Sequence, residues 1–362
     1  MDTKEQTKQH IVTLFDAKHL VDDYLLSVFK KRRAQAGQVS EFYEALWQEI
    51  ENLYASGGKR LRPYIAMMTY QSYGKDTVSD ILPVAASLEL IHQAMLVHDD
   101  IIDRDVIRYG VKNITGQYNE RYKEFLPDSA ERRHFAESSA LLAGDLLISE
   151  AHSQIALSGL DAHQIVTAQQ VLSNAIFHVA GGELIDTEAS FRPAGSVDPL
   201  TIAMQKTASY SFISPLIMGA SLAGADEEQI AMLTEIGNTV GVAFQLRDDI
   251  IGVFGDEAVT GKSADNDLRE GKRTLLINEF YMRASDDQQR EFETFFGNQD
   301  AAASDLQRLR TLLEETGTKS AVEGIIANYQ AETTTQLARL DISDQARSMF
   351  AELIGLCLVR QK

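Results

Sequence analysis

Two acidic stretches of the chain combine residue types and spacing that suit a metal ion. Leu96–Asp105, "LVHDDIIDRD", places four aspartates within seven residues, and the tetrapeptide DDII returns at Asp248–Ile251. In a helix, Asp99 and Asp103 lie one turn apart on the same face, where like charges repel. Both stretches follow apolar helical patterns, so the sequence predicts carboxylates at the inner ends of two helices. Such carboxylates suit a hard divalent cation, above all Mg2+ bridging to phosphate.

Basic residues alternate with these acidic stretches along an acidic chain. "SGGKRLRP" supplies Lys59, Arg60 and Arg62 directly after two glycines and around a helix start, which is an anion-binding arrangement. Lys206, Lys262 and Lys272 are further basic positions, and each alone is more often a surface lysine than a ligand. Cationic loops that alternate with acidic helices indicate a site for a metal-bridged diphosphate.

Other catalytic patterns are absent from the sequence. His92 precedes Asp99 by seven residues, two helical turns on the same face, and could be structural or functional. There is no HExxH, no cysteine pair, no P-loop, no Rossmann glycine fingerprint and no GxSxG. The sequence therefore contains no motif for a zinc site, a nucleotide site or a nucleophilic elbow.

Composition limits the class of protein. The 362 residues are 44% hydrophobic and 24% charged, which is the balance of a globular protein. A formal charge of -19 argues against nucleic acid, because phosphates would be repelled. Cys357 is the only cysteine, so no intramolecular disulfide forms. No window reaches ~18 uninterrupted apolar residues and no signal-peptide pattern occurs, so we expect a cytoplasmic protein without a transmembrane segment.

The chain reads as helical throughout. It has six prolines and none after Pro215, apolar residues recur at three and four positions, and period-two alternation is nowhere sustained. Asp198 with Pro199 predicts a helix start, with the aspartate as cap. Breaks are predicted at 56–58, 73–79, 109–128, 158–161, 192–199, 224–227 and 255–271. With no repeat or linker, we expect a single all-α domain over residues 1–362.

Seven segments in order resemble the trans-isoprenyl diphosphate synthases, the polyprenyl synthetase family. They are GGKRLRP (57–63), ELIHQAMLVHDDIID (89–103), LLAGDLLIS (141–149), GELID (182–186), KTASY (206–210), FQLRDDIIGVFGD (244–256) and GKSADNDLREGKRTL (261–275). The resemblance covers most of the chain. It implies a large homodimeric helical bundle of the isoprenoid synthase type with a deep central cavity, in which the two aspartate-rich helices face each other.

The resemblance also implies an activity and its residues. Isopentenyl diphosphate would condense head-to-tail with an allylic diphosphate, giving a trans-polyprenyl diphosphate. Three Mg2+ ions would be held by Asp99, Asp103 and Asp248, with Asp100, Asp186 and Asp249 in support. Arg108, Lys206, Lys262 and Lys272 would hold the allylic diphosphate, and Lys59, Arg62 and His92 the isopentenyl one. Gln245 and the carbonyl of Thr207 would shield the carbocation, and Phe244 would lie near the isopentenyl group.

Product length follows from two positions. In the family, the residues four and five positions before the first acidic motif close the tail cavity, and bulky aromatics there stop growth early. Met95 and Ala94 stand at these positions. Their smaller side chains predict a product longer than fifteen carbons, of geranylgeranyl length or more.

Three positions depart from the family pattern. Tyr109 stands where a second arginine is usual, Gly252 ends the second acidic motif in place of an aspartate, and Glu183 replaces a frequent glutamine. A phenol donates only one uncharged hydrogen bond, so a phosphate contact is lost at Tyr109. Alternatives are therefore a catalytically weak regulatory subunit of a heteromeric synthase, and a terpene cyclase of related fold. A cyclase has no need of GGKRLRP and His92.

Overall fold

The computed structural model describes residues 11–193, 195–255 and 264–358. The all-α prediction is confirmed, since the described residues are mostly helical, with one short hairpin. The elements are α1 (Leu14–Gly37), α2 (Glu41–Ala55), α3 (Leu61–Ser72), a 3-10 helix (Val78–Ile81), α4 (Leu82–Ile102), β1 (Ile107–Arg108), β2 (Val111–Lys112), α5 (Ile114–Arg121), α6 (Ser129–Ala156), α7 (Ala162–Ala189), α8 (Pro199–Ile202), a π helix (Ala203–Ile213), α9 (Ser214–Ala223), α10 (Glu227–Phe254), α11 (Asn266–Glu270), α12 (Leu275–Arg283), α13 (Asp286–Glu293), α14 (Ala303–Glu315), α15 (Thr318–Leu337) and α16 (Asp344–Leu358).

The chain divides into two compact units. The first comprises Met1–Leu172 with Pro215–Asp226, and the second Ser173–Ser214 with Glu227–Lys362. Each unit has its own buried apolar core, organised around α4 in the first and around α10 in the second. The expectation of one continuous domain over residues 1–362 stays a prediction.

In the first unit, α4 packs against α6, α3 and α1. The helix is apolar on most of its surface, and its buried residues run from Val84 to Asp100. Among the described residues, the stretch Val78–Ile102 has the length and composition of a membrane span, but 67% of its apolar window is buried. A core helix meets the same criteria, so this is weak support for a membrane span.

A glycine of the LLAGD segment lets α6 approach the end of α4. A Cβ placed on Gly144 would lie 2.0 Å from Nε2 of His98. Only glycine leaves room for the imidazole, which lies 3.4 Å from the carbonyl oxygen of Leu141. The acidic turn one residue after His98 is thereby held against α6.

In the second unit, a π helix packs between helices that carry glycines at the contacts. Added Cβ atoms would lie 2.3 Å from the backbone nitrogen of Lys206 at Gly182, and 2.4 Å from Cα of Ala208 at Gly241. The π helix has the wider i to i+5 hydrogen-bond pattern, which is rare and frequent at functional sites. The glycines of α7 and α10 therefore bring both helices close to the π-helix backbone.

Most predicted breaks agree with the structure, and two need correction. Asp198 caps α8 as predicted, its carboxylate accepting the backbone NH of Leu200 at 3.0 Å. The predicted break 109–128 contains α5, because Asn113 caps that helix by accepting the NH of Gly116 at 2.9 Å. The break 255–271 contains α11, a single turn among polar residues. Neither helix is long enough to show an apolar period.

Candidate active site

The acidic turn of α4 is joined to an arginine from the following hairpin. The Arg108 guanidinium donates from Nε to Oδ1 of Asp100 at 2.8 Å and from Nη2 to Oδ2 of Asp99 at 3.1 Å. Burial raises the pKa of Asp100 to about 6, although the Arg108 charge opposes the rise. Arg108 itself is largely buried, and its pKa is raised by the two carboxylates despite the opposing effect of burial. The guanidinium therefore compensates part of the repulsion within this turn.

The hairpin that carries Arg108 turns on two left-handed residues. Arg108 pairs with Val111, and Tyr109 and Gly110 between them have φ of 54° and 77°. A left-handed tyrosine is unusual and costs of order 1 kcal/mol, so tertiary contacts must hold it. One such contact is to Gly57, where an added Cβ would lie 2.8 Å from Cγ of the Tyr109 ring. Tyr109 thus covers the glycine loop that precedes α3.

The glycine loop before α3 is also fixed by a buried arginine, Arg60. Arg60 has φ of 56°, and its side chain is 2% exposed. Its guanidinium donates to Oδ1 of Asp22 at 2.7 Å, to the carbonyl oxygen of Gly57 at 2.8 Å and to Oε1 of Glu89 at 3.1 Å. The positive charge of Arg60 is therefore compensated by two carboxylates of the first unit. This corrects the expectation that Arg60 contacts a bound anion. It fixes the loop that presents Lys59, an exposed residue.

His92 lies in an electropositive part of the first unit. Burial lowers the pKa of His92 well below its usual value, and the charges of Arg62, Arg108 and Arg60 lower it further. The imidazole is therefore neutral at pH 7 and offers one hydrogen-bond donor and one acceptor. The structure places His92, Arg62 and Arg108 in one region of the first unit.

The two positions assigned to product length lie on α4 in the same unit. Ala94 is fully buried and Met95 is half-buried. They are one turn before Asp99 on the helix, toward its buried middle. Both side chains are smaller than an aromatic ring.

In the second unit, Lys206 on the π helix binds two acids of α7. Its Nζ lies 2.7 Å from Oδ2 of Asp186 and 2.9 Å from Oε2 of Glu183. These acids are three residues apart, so they lie on one helix face. Glu183, noted in the sequence only as a departure, thus has a specific partner.

A chain of hydrogen bonds connects the π helix with the second acidic turn. The hydroxyl of Thr207 donates to the amide oxygen of Gln245, whose Nε2 donates to Oδ1 of Asp249 at 2.8 Å. Burial raises the pKa of Asp249 well above its usual value, with the charges of Asp267, Asp248 and Asp186 adding to it and the Gln245 bond opposing it. Gln245 is thereby held with its amide oxygen toward Thr207.

Beside this chain, Phe244 packs on Phe212 of the π helix, with ring centroids 5.3 Å apart. The ring contact ties α10 to the π helix one residue before Gln245. The side chain predicted to lie near the substrate is therefore fixed by aromatic packing within the second unit.

An acid that the sequence analysis missed stands beside the incomplete second motif. A Cβ placed on Gly252 would lie 2.1 Å from Oδ2 of Asp267. Oδ1 of the same carboxylate is 3.7 Å from Nζ of Lys272, which also approaches Glu270 at 3.2 Å. Asp267 lies in the segment GKSADNDLREGKRTL. The absence of an acid at Gly252 was the sequence feature that could have indicated a carboxylate from another segment at this place. Lys262, from the same segment, lies outside the described residues.

Each acidic turn fits a hard divalent cation by the chemistry of its donors. The first offers carboxylate oxygens from Asp99, Asp100 and Asp103, and the second from Asp248 and Asp249, all buried or half-buried. The named donors of both turns are aspartate carboxylates, with no sulfur ligand among them, and carboxylate oxygen is the ligand that Mg2+ prefers. Several carboxylates close together and partly removed from water repel one another, and a bound cation lowers this electrostatic cost.

Comparison with known proteins gives a consistent result. The polyprenyl synthetase family model matches residues 43–313. The chain is 34% identical over 314 residues to geranylfarnesyl diphosphate synthase of Aeropyrum pernix, which covers 85% of this chain and 90% of that protein. It is 31% identical over 283 residues to geranylgeranyl diphosphate synthase of Sulfolobus acidocaldarius, covering 77% and 79%.

A solved structure is similar over almost the whole chain. Geranylgeranyl pyrophosphate synthase from Corynebacterium glutamicum, complexed with isoprenyl diphosphate and magnesium, gives a TM-score of 0.89 at 28% identity. The match covers 96% of this chain and 99% of that chain.

Proposed function

The chain belongs to the polyprenyl synthetase family and is a prenyltransferase, and we propose that it condenses isopentenyl diphosphate with an allylic diphosphate. The observation that carries the proposal is the grouping of Arg62, His92 and Arg108 beside the acidic turn of α4. A terpene cyclase binds one diphosphate and has no use for a second cationic group.

Isopentenyl diphosphate is bound by Lys59, Arg62 and His92. Arg60 and Tyr109 hold the loop that carries Lys59, so its ammonium is presented from a fixed backbone. The lowered pKa of His92 keeps it a neutral donor, so it adds a hydrogen bond without adding to the charge of the arginines. Tyr109 stands where the family usually has an arginine, and its ring packs on the loop at Gly57.

Asp99, Asp103 and Asp248 would hold three Mg2+ ions at the allylic diphosphate, with Asp100, Asp186 and Asp249 in support. The oxygen-only donors of both acidic turns support this assignment. When bound, Mg2+ neutralises the departing diphosphate and assists ionisation of the allylic carbon–oxygen bond. Arg108, Lys206, Lys262 and Lys272 add positive charge to the same leaving group.

The residues of the second unit then stabilise and protect the allylic cation. The fixed amide oxygen of Gln245 and the backbone carbonyl of Thr207 present negative dipoles to it, a preorganised form of electrostatic stabilisation. Phe244 lies beside the isopentenyl group. The isopentenyl double bond supplies the electron pair of the new carbon–carbon bond, and a proton leaves to the released diphosphate.

The product has twenty carbons or more, as the named relatives suggest. Ala94 and Met95 leave space for the growing chain where an aromatic residue would close it. The side chain of Ala94 is fully buried, so a substitution there changes the interior of the first unit directly.

The enzyme is a cytoplasmic homodimer without a transmembrane segment. Large apolar side chains are exposed on α6 at Leu141 (51%) and Leu142 (57%), and on α7 at Phe177 (75%) and Leu184 (70%). Phe177 and Leu184 are two turns apart and share a helix face. Exposed apolar residues that share a helix face in this way mark a protein interface, and a second copy of the chain is the occupant that the family suggests.

An elongation assay tests the proposed function. Purified protein is incubated with labelled isopentenyl diphosphate, allylic diphosphates of increasing length and Mg2+, and label transferred to prenyl product is counted. Asp99→Ala should lower transfer by at least about a thousand-fold, as loss of a transition-state charge contact does. Asp287→Ala, at an exposed position, is the matched control and should keep full activity. Transfer by Asp99→Ala at the wild-type rate would refute the metal assignment.

A further inference from the structure

One arginine that is distant in sequence from both acidic turns hydrogen-bonds the residues on either side of 254–263. Arg310, on α14 in the second unit, donates from Nε to the carbonyl oxygen of Val253 at 2.7 Å. Its Nη2 donates to the carbonyl oxygen of Ala264 at 3.1 Å and to the carboxylate of Asp265. The side chain is only 16% exposed. A single guanidinium therefore joins the last turn of α10 to the beginning of α11.

Both ends of that connection carry groups of the candidate site. Val253 follows Gly252, and Asp265 is two residues before Asp267. The carboxylate of Asp267 lies against Gly252, and its other oxygen is 3.7 Å from Nζ of Lys272. The bonds of Arg310 thus flank the contact that places Asp267 and Lys272 beside the second acidic turn.

α11 is also held from its other side, independently of Arg310. Arg269 donates from Nη1 to the carbonyl oxygens of Gln299 at 3.2 Å and Ala301 at 2.5 Å. The NH of Gly297 donates to the carbonyl oxygen of Leu268 at 2.9 Å. Because these bonds remain when Arg310 is replaced, its loss should displace α11 along α10 without unfolding the unit.

We propose that Arg310 is a positioning residue that fixes Asp267 and Lys272 for diphosphate binding at the second acidic turn. This inference rests on the proposed function, in which Lys272 binds the allylic diphosphate. The planar guanidinium serves acceptors on two chain segments at once, whereas the ammonium of a lysine is a single point of charge. An arginine is therefore required for the full effect.

The test compares Arg310→Met and Arg310→Lys with a matched control on the same helix. Arg308→Met removes the same charge two residues away, where Arg308 binds Glu291 at 2.7 Å on the surface. For each protein the apparent KM values for both substrates are measured, together with the rise in Tm on adding Mg2+ with inorganic pyrophosphate. The Tm measurement needs no turnover.

Arg310→Met should raise the KM for the allylic diphosphate about ten-fold, the equivalent of one lost charge-assisted contact, and leave the KM for isopentenyl diphosphate within about two-fold. The Tm rise with Mg2+ and pyrophosphate should be at most about half that of the wild type. Arg310→Lys should show the same pattern at smaller size, and serves if the methionine variant does not fold. Arg308→Met should match the wild type.

Two results would overturn the assignment: Arg310→Met with wild-type KM values and Tm rise, or an equal increase of both KM values, which indicates general damage. A wild-type protein that elongates no primer but gains Tm with Mg2+ and pyrophosphate would contradict the proposed function alone. The positioning assignment is then decided by whether Arg310→Met loses that gain.

Discussion

The carboxylate of Asp267 stands where a side chain at Gly252 would begin, with Oδ2 only 2.1 Å from the position of an added Cβ. Gly252 ends the second acidic motif at the position where an aspartate is usual. The chain therefore places an acid from α11 beside the position at which α10 lacks one.

Restoring the aspartate should accordingly harm the enzyme. Gly252→Asp forces Asp267 away from Lys272 and adds a like charge, so we expect at least about ten-fold slower transfer, which corresponds to about 1.4 kcal/mol. The double variant Gly252→Asp with Asp267→Gly exchanges the two positions and should recover most of the rate. Initial rates at saturating substrates measure this. A Gly252→Asp enzyme faster than wild type would show that the missing aspartate is a true deficit.

Tyr109 should support isopentenyl diphosphate binding through its ring. Tyr109→Phe keeps the packing on Gly57 and should leave the KM for isopentenyl diphosphate unchanged. Tyr109→Ala uncovers the loop and should raise that KM about five-fold, equivalent to ~1 kcal/mol, with the allylic KM unaffected. Steady-state kinetics with each substrate varied in turn provide the values. An unchanged KM in Tyr109→Ala, or an equal loss in Tyr109→Phe, would contradict the packing role.

The ion pair between half-buried Asp22 and buried Arg60 should make the free energy of unfolding depend on pH. Burial alone would raise the pKa of Asp22, but hydrogen bonds from Lys18, Tyr54 and Arg60 outweigh it and lower the pKa below the usual value of an aspartate. A lowered carboxyl pKa contributes stability above the unfolded-state value, and this contribution is lost as the pH falls through the folded-state value.

Asp22→Asn should therefore cost about 2 kcal/mol at pH 7, since it leaves the buried guanidinium with one carboxylate fewer. Urea unfolding midpoints of both proteins should converge as the pH falls below about 4. An equal difference at pH 7 and at pH 3 would exclude this electrostatic origin.

Product length should respond to Met95. Met95→Phe places a ring one turn before Asp99 at a half-buried position, where it has room that the fully buried Ala94 lacks. We expect shorter products at nearly unchanged stability, because exchange of one large apolar side chain for another usually costs less than about 1.5 kcal/mol. Chromatography of the dephosphorylated products shows their length. Unchanged length in Met95→Phe would mean that the chain grows along another path.

The sequence predicted those site residues that regular helices present. His92, Asp99 and Asp103 share a face because the helical period fixes it, and the structure confirms that α4 is a continuous helix. Spacing alone therefore predicted a metal site at this helix end, whereas the roles of the individual residues were implied by the family resemblance.

Tertiary contacts were not predictable in this way. The π helix that carries Lys206 has no sequence period of its own, and its wide turns depend on glycines of neighbouring helices such as Gly241. The contact of Asp267 with Gly252 and the bonds of Arg310 join segments far apart in sequence. No local pattern encodes them, because each depends on how α10, α11 and α14 pack.

We propose that this chain joins isopentenyl units to an allylic diphosphate. Measuring the mass of the product is the most direct test of that reaction. Purified protein, isopentenyl diphosphate, a short allylic diphosphate and Mg2+ are incubated, and the phosphatase-treated extract is measured by mass spectrometry. We expect a linear prenyl alcohol of twenty carbons or more, absent when Mg2+ is chelated. Unextended primer alcohol alone, or a cyclised hydrocarbon, would contradict it.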